Sequence, residues 1–128
     1  MSAIDVVGRY GAAVAAGDMA ALAATLTEGA VWHQPGANHL SGDHVGPDAI
    51  LAHLGRFMEL SGGTFALVTE SATESGNLVA TTVRFTAQRP GRADLDQCGV
   101  DVFRVEGDRI AEIWLIGEDQ PVEDLFWD

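Results

Sequence analysis

The sequence predicts an α+β domain built on an antiparallel sheet, from three observations. Capped segments with helical periodicity fill the first half of the chain. Extended segments rich in β-branched and aromatic residues fill the second. Short turn-forming pairs separate those extended segments, and helices followed by a run of hairpin-linked strands give this class.

Ser2 is placed to cap a first helix over about Ala3 to Ala16, with Ile4, Val7, Gly11 and Val14 recurring at helical spacing. Tyr10 falls within that apolar sector. Gly17 ends the helix, and Asp18 caps a second one through Leu26. "GAVWH" reads as a short strand, and Pro35 to Val45 as a loop rich in turn formers. Pro47 opens a third helix that ends near Ser61, with Ile50, Leu51, Leu54, Phe57 and Met58 as its buried stripe and His53 at the border. "TFALVTESATES", "LVATTVRFTAQR", "DLDQCGVDVFRV" and "RIAEIWLIG" then read as strands, divided at Gly76-Asn77, Pro90-Gly91 and Gly107-Asp108. No repeat or linker divides the 128 residues, so one domain over 1–128 is expected.

Composition narrows the function. The net charge is −12, from 19 acidic and seven basic residues, so phosphate is repelled; neither nucleic acid nor an anionic membrane is an expected partner. The six acids from Glu112 to Asp128 read as a solvated tail. All seven bases are arginine, which excludes a Schiff-base lysine and a phosphate-loop lysine. Cys98 is the sole cysteine, so no intrachain disulfide can form, which fits a reducing compartment. The N-terminus carries no signal-peptide pattern and no apolar run reaches membrane-spanning length, so a cytoplasmic location is expected.

Several residue patterns bear on chemistry. In the strand around Cys98, the odd positions Leu95, Gln97, Gly99, Asp101, Phe103 and Val105 share a face. If that face is the core face, desolvation raises the Asp101 pKa and the protonated carboxyl can donate to a developing oxyanion. If the even face is buried instead, Asp101 is an ordinary exposed aspartate. Tyr10 is a phenol in an apolar sector, able to bond either a ligand oxygen or the backbone. Three of the four histidines, His33, His39 and His44, crowd the stretch from Trp32 to His44, and His53 follows. An imidazole near its ordinary pKa suits a general base, whereas a loop histidine is often merely solvated. The histidine spacing matches no compact zinc signature, so no metal is expected. No GxSxG elbow and no phosphate-binding glycine motif occurs, so no nucleotide cofactor is called for.

"RYGAAVAAGDMAALAATLTEGAVWHQPG" and "VDVFRVEGDRIAEIW" resemble the nuclear transport factor 2-like superfamily, and within it the SnoaL-like and ketosteroid-isomerase-like proteins. The resemblance covers nearly the whole chain. It implies a cone-shaped roll: three N-terminal helices packed on a curved, mostly antiparallel sheet that encloses a pocket. It also implies a homodimer joined through the sheet. Carried over from ketosteroid isomerase, Tyr10 corresponds to the oxyanion-hole tyrosine and Asp101 to the protonated aspartic acid beside it, an arrangement already well described for that enzyme. The isomerase's aspartate base falls at Gln34, which has no useful basicity, so His33 becomes the expected base, with His39, His44 or Asp43 as alternatives reaching in from the loop.

The expected function is cofactor-independent acid/base catalysis on a small apolar carbonyl compound, polyketide-like, by isomerisation, cyclisation or dehydration. The catalytic set is Asp101, Tyr10 and His33. Trp32, Gln34, His39 and His44 are expected to line the pocket from the first strand and its loop. His53 and Phe57 would join them from the third helix, and Phe103 and Trp114 from the sheet. The alternatives are a non-catalytic binder of a small molecule and, third, an epoxide hydrolase pairing Asp101 with Arg84 or Arg104.

Overall fold

The computed structural model covers Met1–Asp128. Its elements are α1 (Ala3–Ala16), α2 (Met19–Ala24), β1 (Leu26–Gln34), β2 (Gly42–Val45), α3 (Pro47–Leu60), β3 (Ala66–Ser75), β4 (Leu78–Ala87), β5 (Leu95–Glu106), β6 (Arg109–Gly117) and α4 (Gln120–Trp127). The class is α+β. Six strands form one sheet in the order β2-β1-β6-β5-β4-β3. Every neighbouring pair is antiparallel except β1 and β6. The helices and the curved sheet form a cone. No helix is long and apolar enough to cross a membrane.

Local chemistry accounts for the helix starts. Ser2 accepts from the Asp5 amide while the Asp5 carboxylate accepts from Ser2, closing a reciprocal cap. Asp18 accepts from the Ala21 amide to start α2. The chain leaves α1 through Gly17 at φ 64°, the left-handed conformation that a side chain resists.

Two helical stripes are rotated from their expected positions. On α1 the buried residues are Ala3, Val6, Val7, Tyr10 and Ala13, while Val14 is exposed. On α3 they are Ile50, His53 and Phe57, while Met58 is exposed. Apolar content alone did not distinguish the buried Ala13 from the exposed Val14. His53 is thus a core residue, 1% exposed, and not a border one.

Two further differences lie outside the helices. The loop before α3 contains β2, which adds to the edge of β1 with His44 opposite Trp32. The C-terminal segment is no solvated tail. It forms α4, whose Glu123, Phe126 and Trp127 are buried. Its acids have structural partners: Asp119 accepts from the Val122 amide at the N-cap, and Asp124 accepts from Asn38 and Gln120. Arg89 and Arg92 donate to the Leu125 and Phe126 carbonyls, placing cations at the negative end of the helix.

The sheet presents one face to the helices. On β5, Leu95, Gln97, Phe103 and Val105 are buried and Gly99 and Asp101 half-buried, whereas Asp96 and Cys98 are exposed. The odd face is therefore the inner one. Register extends it across the sheet: Val79–Phe103–Ile113–Trp32 forms one row, Thr81–Asp101–Leu115 the next, and Val83–Gly99–Gly117 the one after. The core of the protein lies between this face, α1, α3 and α4.

Candidate active site

Asp101 lies in the middle of the inner face. Burial raises its carboxyl pKa to about 7, and no hydrogen bond offsets that cost. Tyr10 reaches the same region from α1, with its ring edge-on to Phe103 at 5.5 Å between centroids. Burial pushes the phenol pKa far up, and the charge of Asp101 pushes it further. The structure thus brings Tyr10, Asp101 and Phe103 together. Neither the Tyr10 hydroxyl nor the Asp101 carboxyl hydrogen-bonds to another protein group.

A second polar cluster comes from β1, β2 and α3. Trp32 and Gln34 point inward. The Trp32 indole Nε1 donates to Gln34 Oε1 at 2.9 Å, which fixes the orientation of that amide. His53 Nε2 lies 2.9 Å from the same oxygen and must donate to it. His53 Nδ1 then carries a lone pair, and it is buried without a partner. His44 stacks on His53 at 3.8 Å and its Nε2 donates to the Leu40 carbonyl. Burial, then the neighbouring His44 and Arg56, lowers the His53 pKa to about 3, so its ring stays neutral. Phe57 packs edge-on against it at 4.9 Å.

Three expected site residues lie elsewhere. His33 alternates with the inward Trp32 and Gln34, so it projects from the opposite face of the sheet. There its Nδ1 meets Asp43 at 2.8 Å and its Nε2 meets Glu112 at 2.6 Å. Partial burial lowers its pKa, but the bonds to Glu112 and Asp43 outweigh this and the net shift is upward. An imidazolium donating from both nitrogens has no lone pair with which to take a substrate proton. Trp114 stacks on His33 on that outer face, at 5.6 Å, and does not join Tyr10. His39 is exposed, 3.4 Å from Asp128.

The arginines of the epoxide-hydrolase alternative are also outside. Arg84 forms a two-pronged pair with Asp96, and Arg104 pairs with Glu106 and Glu112. Neither forms an ion pair with Asp101, so the aspartate–arginine arrangement is not formed.

One inner-face group was not foreseen. Glu123 of α4 is 6% exposed, and burial followed by the charges of Asp124 and Asp101 lifts its pKa to about 7. The sequence did carry a signal for the helix that holds it: Asp119 followed by Gln120-Pro121 is a cap residue ahead of an early proline. Two open hollows, of about 270 and 440 Å3, lie on the surface by Asp94–Asp119 and between α1 and α2; neither includes Tyr10 or Asp101. No group of His, Cys, Asp and Glu side chains is arranged to hold a metal ion.

The fold agrees with known proteins. A protein of unknown function with a cystatin-like fold from Xanthomonas campestris is 40% identical, with a TM-score of 0.91 over 99% of this chain and 98% of its own. Bal32a, from a soil-derived mobile gene cassette, is 35% identical, with a TM-score of 0.92 over 98% of this chain and 96% of its own. TerC, co-crystallised with polyporic acid, shares the fold at 15% identity, with a TM-score of 0.83 over 98% of each chain. No curated protein matches the chain. The model of the SnoaL-like domain matches residues 7–113, which run from the helix bearing Tyr10 through the strand bearing Asp101 to the inner-face Ile113, and the chain belongs to that family.

Proposed function

We propose that this protein is a cofactor-independent acid/base enzyme acting on a small, mostly apolar carbonyl compound, polyketide-like in character. The carrying observation is the pair of Tyr10 and Asp101, two hydrogen-bond donors without protein partners beside the Phe103 ring. In a low-dielectric setting such donors stabilise a negative oxygen more strongly than water does. As the carbonyl becomes an enolate, charge collects on its oxygen, and the phenol and neutral carboxyl hold it. TerC, a protein of the same fold co-crystallised with polyporic acid, supports a small organic ligand.

The test uses 2-naphthol, a planar phenol whose oxygen imitates an enolate. Fluorescence titration should show binding by the wild-type chain, weakened about tenfold or more in Tyr10→Phe and in Asp101→Leu. Equal affinity in all three proteins would remove the pair from ligand recognition. A second reading, a binder without chemistry, is favoured by Gln34, whose oxygen is occupied by Trp32 and His53 and which is no base. A ketone bound without proton exchange would favour it.

The active form in this reading is a homodimer joined through the outer sheet face. That face carries Val100, Val102 and Trp114 half-buried, with Ile116 60% and Val68 61% exposed. Apolar side chains at neighbouring positions on one sheet face are those a second copy would cover. Sedimentation should give twice the chain mass, falling to one chain in Ile116→Asp.

A further inference from the structure

We infer that Glu123, carried on α4, is the group that removes and returns the proton at the carbon beside the carbonyl held by Tyr10 and Asp101. This assignment rests on the carbonyl reading above and supplies the base that it lacks.

The buried polar side chains are Thr25, Gln34, His53, Ser61, Thr81, Gln97 and Glu123, and only His53 and Glu123 among them can accept a proton. His53 donates from Nε2 to Gln34, and its Nδ1 is sealed from any approaching molecule. His33 and His39 are outside, and His44 belongs to the cluster of β1, β2 and α3, stacked on His53 with its Nε2 donating to the Leu40 carbonyl.

The backbone then explains how Glu123 gets in. Gly99 and Gly117 are register partners on the inner face, in the row beside the one that holds Asp101. A Cβ on Gly117 would lie 2.8 Å from Glu123 Oε2, 3.4 Å from Gln97 Oε1 and 3.6 Å from the Phe85 ring. A Cβ on Gly99 would lie 2.6 Å from the Ile116 carbonyl and 3.2 Å from Phe85. At Gly117 the missing side chain leaves a notch that the Glu123 carboxyl occupies, while the Phe85 ring and the Ile116 carbonyl close over Gly99. Gln97 makes no hydrogen bond to that carboxyl; its amide nitrogen donates to the Asp119 carbonyl and its amide oxygen accepts from the Asp119 N–H. Glu123 therefore sits over the sheet without a hydrogen bond, next to the row of Asp101. The charged or titratable groups bearing on it are Asp101 of β5 and Asp124 of α4.

The charge of Asp101 bears on Glu123. A ligand oxygen accepting from the neutral Asp101 carboxyl keeps that carboxyl protonated, so Glu123 can ionise beside it. The Glu123 carboxylate then takes the proton from the α-carbon. The C–H electron pair becomes the enolate C=C bond, and the carbonyl π pair moves to the oxygen bonded by Tyr10 and Asp101. Return of the proton from Glu123, to the same carbon or a conjugated one, completes the cycle with no oxidant or reductant.

The experiment is hydrogen–deuterium exchange of 2-tetralone in D2O, followed by NMR, beside the 2-naphthol titration. The wild-type chain should accelerate exchange, with a rate that rises with pH towards neutrality. Glu123→Gln should lose about a hundredfold or more of that acceleration and the rising limb of its pH profile, while keeping 2-naphthol affinity. Glu123→Asp, which retains the carboxyl, should recover part of the rate with the limb present. Undiminished exchange in Glu123→Gln, or wild-type binding of naphthol without exchange, would overturn the assignment and leave the oxygen-binding pair standing. Absence of both binding and exchange in the wild type would overturn the carbonyl reading and the assignment with it.

Discussion

Single side chains on adjacent positions of β1 have opposite fates. Trp32 and Gln34 face the core, while His33 between them joins a surface chain of charges running Asp43, His33, Glu112, Arg104, Glu106. Strand alternation makes this unavoidable: once the indole is buried, the next imidazole must point away. The presence of an imidazole beside the aligned base position made His33 look catalytic, yet residue type does not set direction. His33→Ala should therefore leave 2-naphthol affinity unchanged. Its stability cost, read from urea unfolding, should be about 1 kcal/mol or less, because ion pairs on a solvent-facing sheet surface contribute little. Asp101 shows the same rule working the other way. Parity put it on a face with Phe103 and Val105, and only the burial of that face made it a perturbed carboxyl.

Among the elements, α4 alters the picture most. Sequence charge density suggested solvation, because five of the residues between Glu118 and Asp128 are acidic. Each acid instead has a distinct local environment, and the helix docks through Trp127 and Phe126. The Trp127 ring meets Phe57 at 5.1 Å, Phe65 at 6.0 Å and Phe126 at 4.8 Å, and the residue is 1% exposed. Trp127→Ala should destabilise the protein by about 3 kcal/mol in urea unfolding, at the low end for a buried tryptophan. The indole nitrogen is buried without a partner, so its removal relieves a cost that partly offsets the lost packing. α1, in contrast, was readable in advance to its end residues, since Ser2 and Gly17 mark both ends by local bonding and backbone geometry.

At the scale of the whole molecule, the buried carboxyl pair links stability to pH. Asp101 and Glu123 both have folded-state pKa values near 7, above those of exposed carboxyls. The folded state therefore holds protons that the unfolded chain releases between about pH 4 and 7. Their stabilising contribution is complete below the unfolded values and is lost as pH rises through about 7. Thermal unfolding should accordingly show Tm falling from pH 5 to pH 8. The slope should flatten in the double variant Asp101→Asn, Glu123→Gln, which has no buried carboxyl to ionise. A slope equal to that of the wild type would place the linkage elsewhere.

By itself the sequence determined the α+β class, the bounds of α1 and α3 to within a residue, and the hairpin divisions of the second half. These follow from caps, glycines and periodicity, which act between residues near in the chain. It also brought Tyr10 and Asp101 into one hypothesis, through parity and family resemblance. The tertiary structure alone decided which sheet face is inner. It also decided that His33 and Trp114 lie behind the sheet and that the C-terminal acids form a helix delivering Glu123 over a glycine notch. Those facts depend on which surfaces meet across the core, and residues as distant in sequence as Tyr10 and Phe103 become neighbours only when the chain has packed.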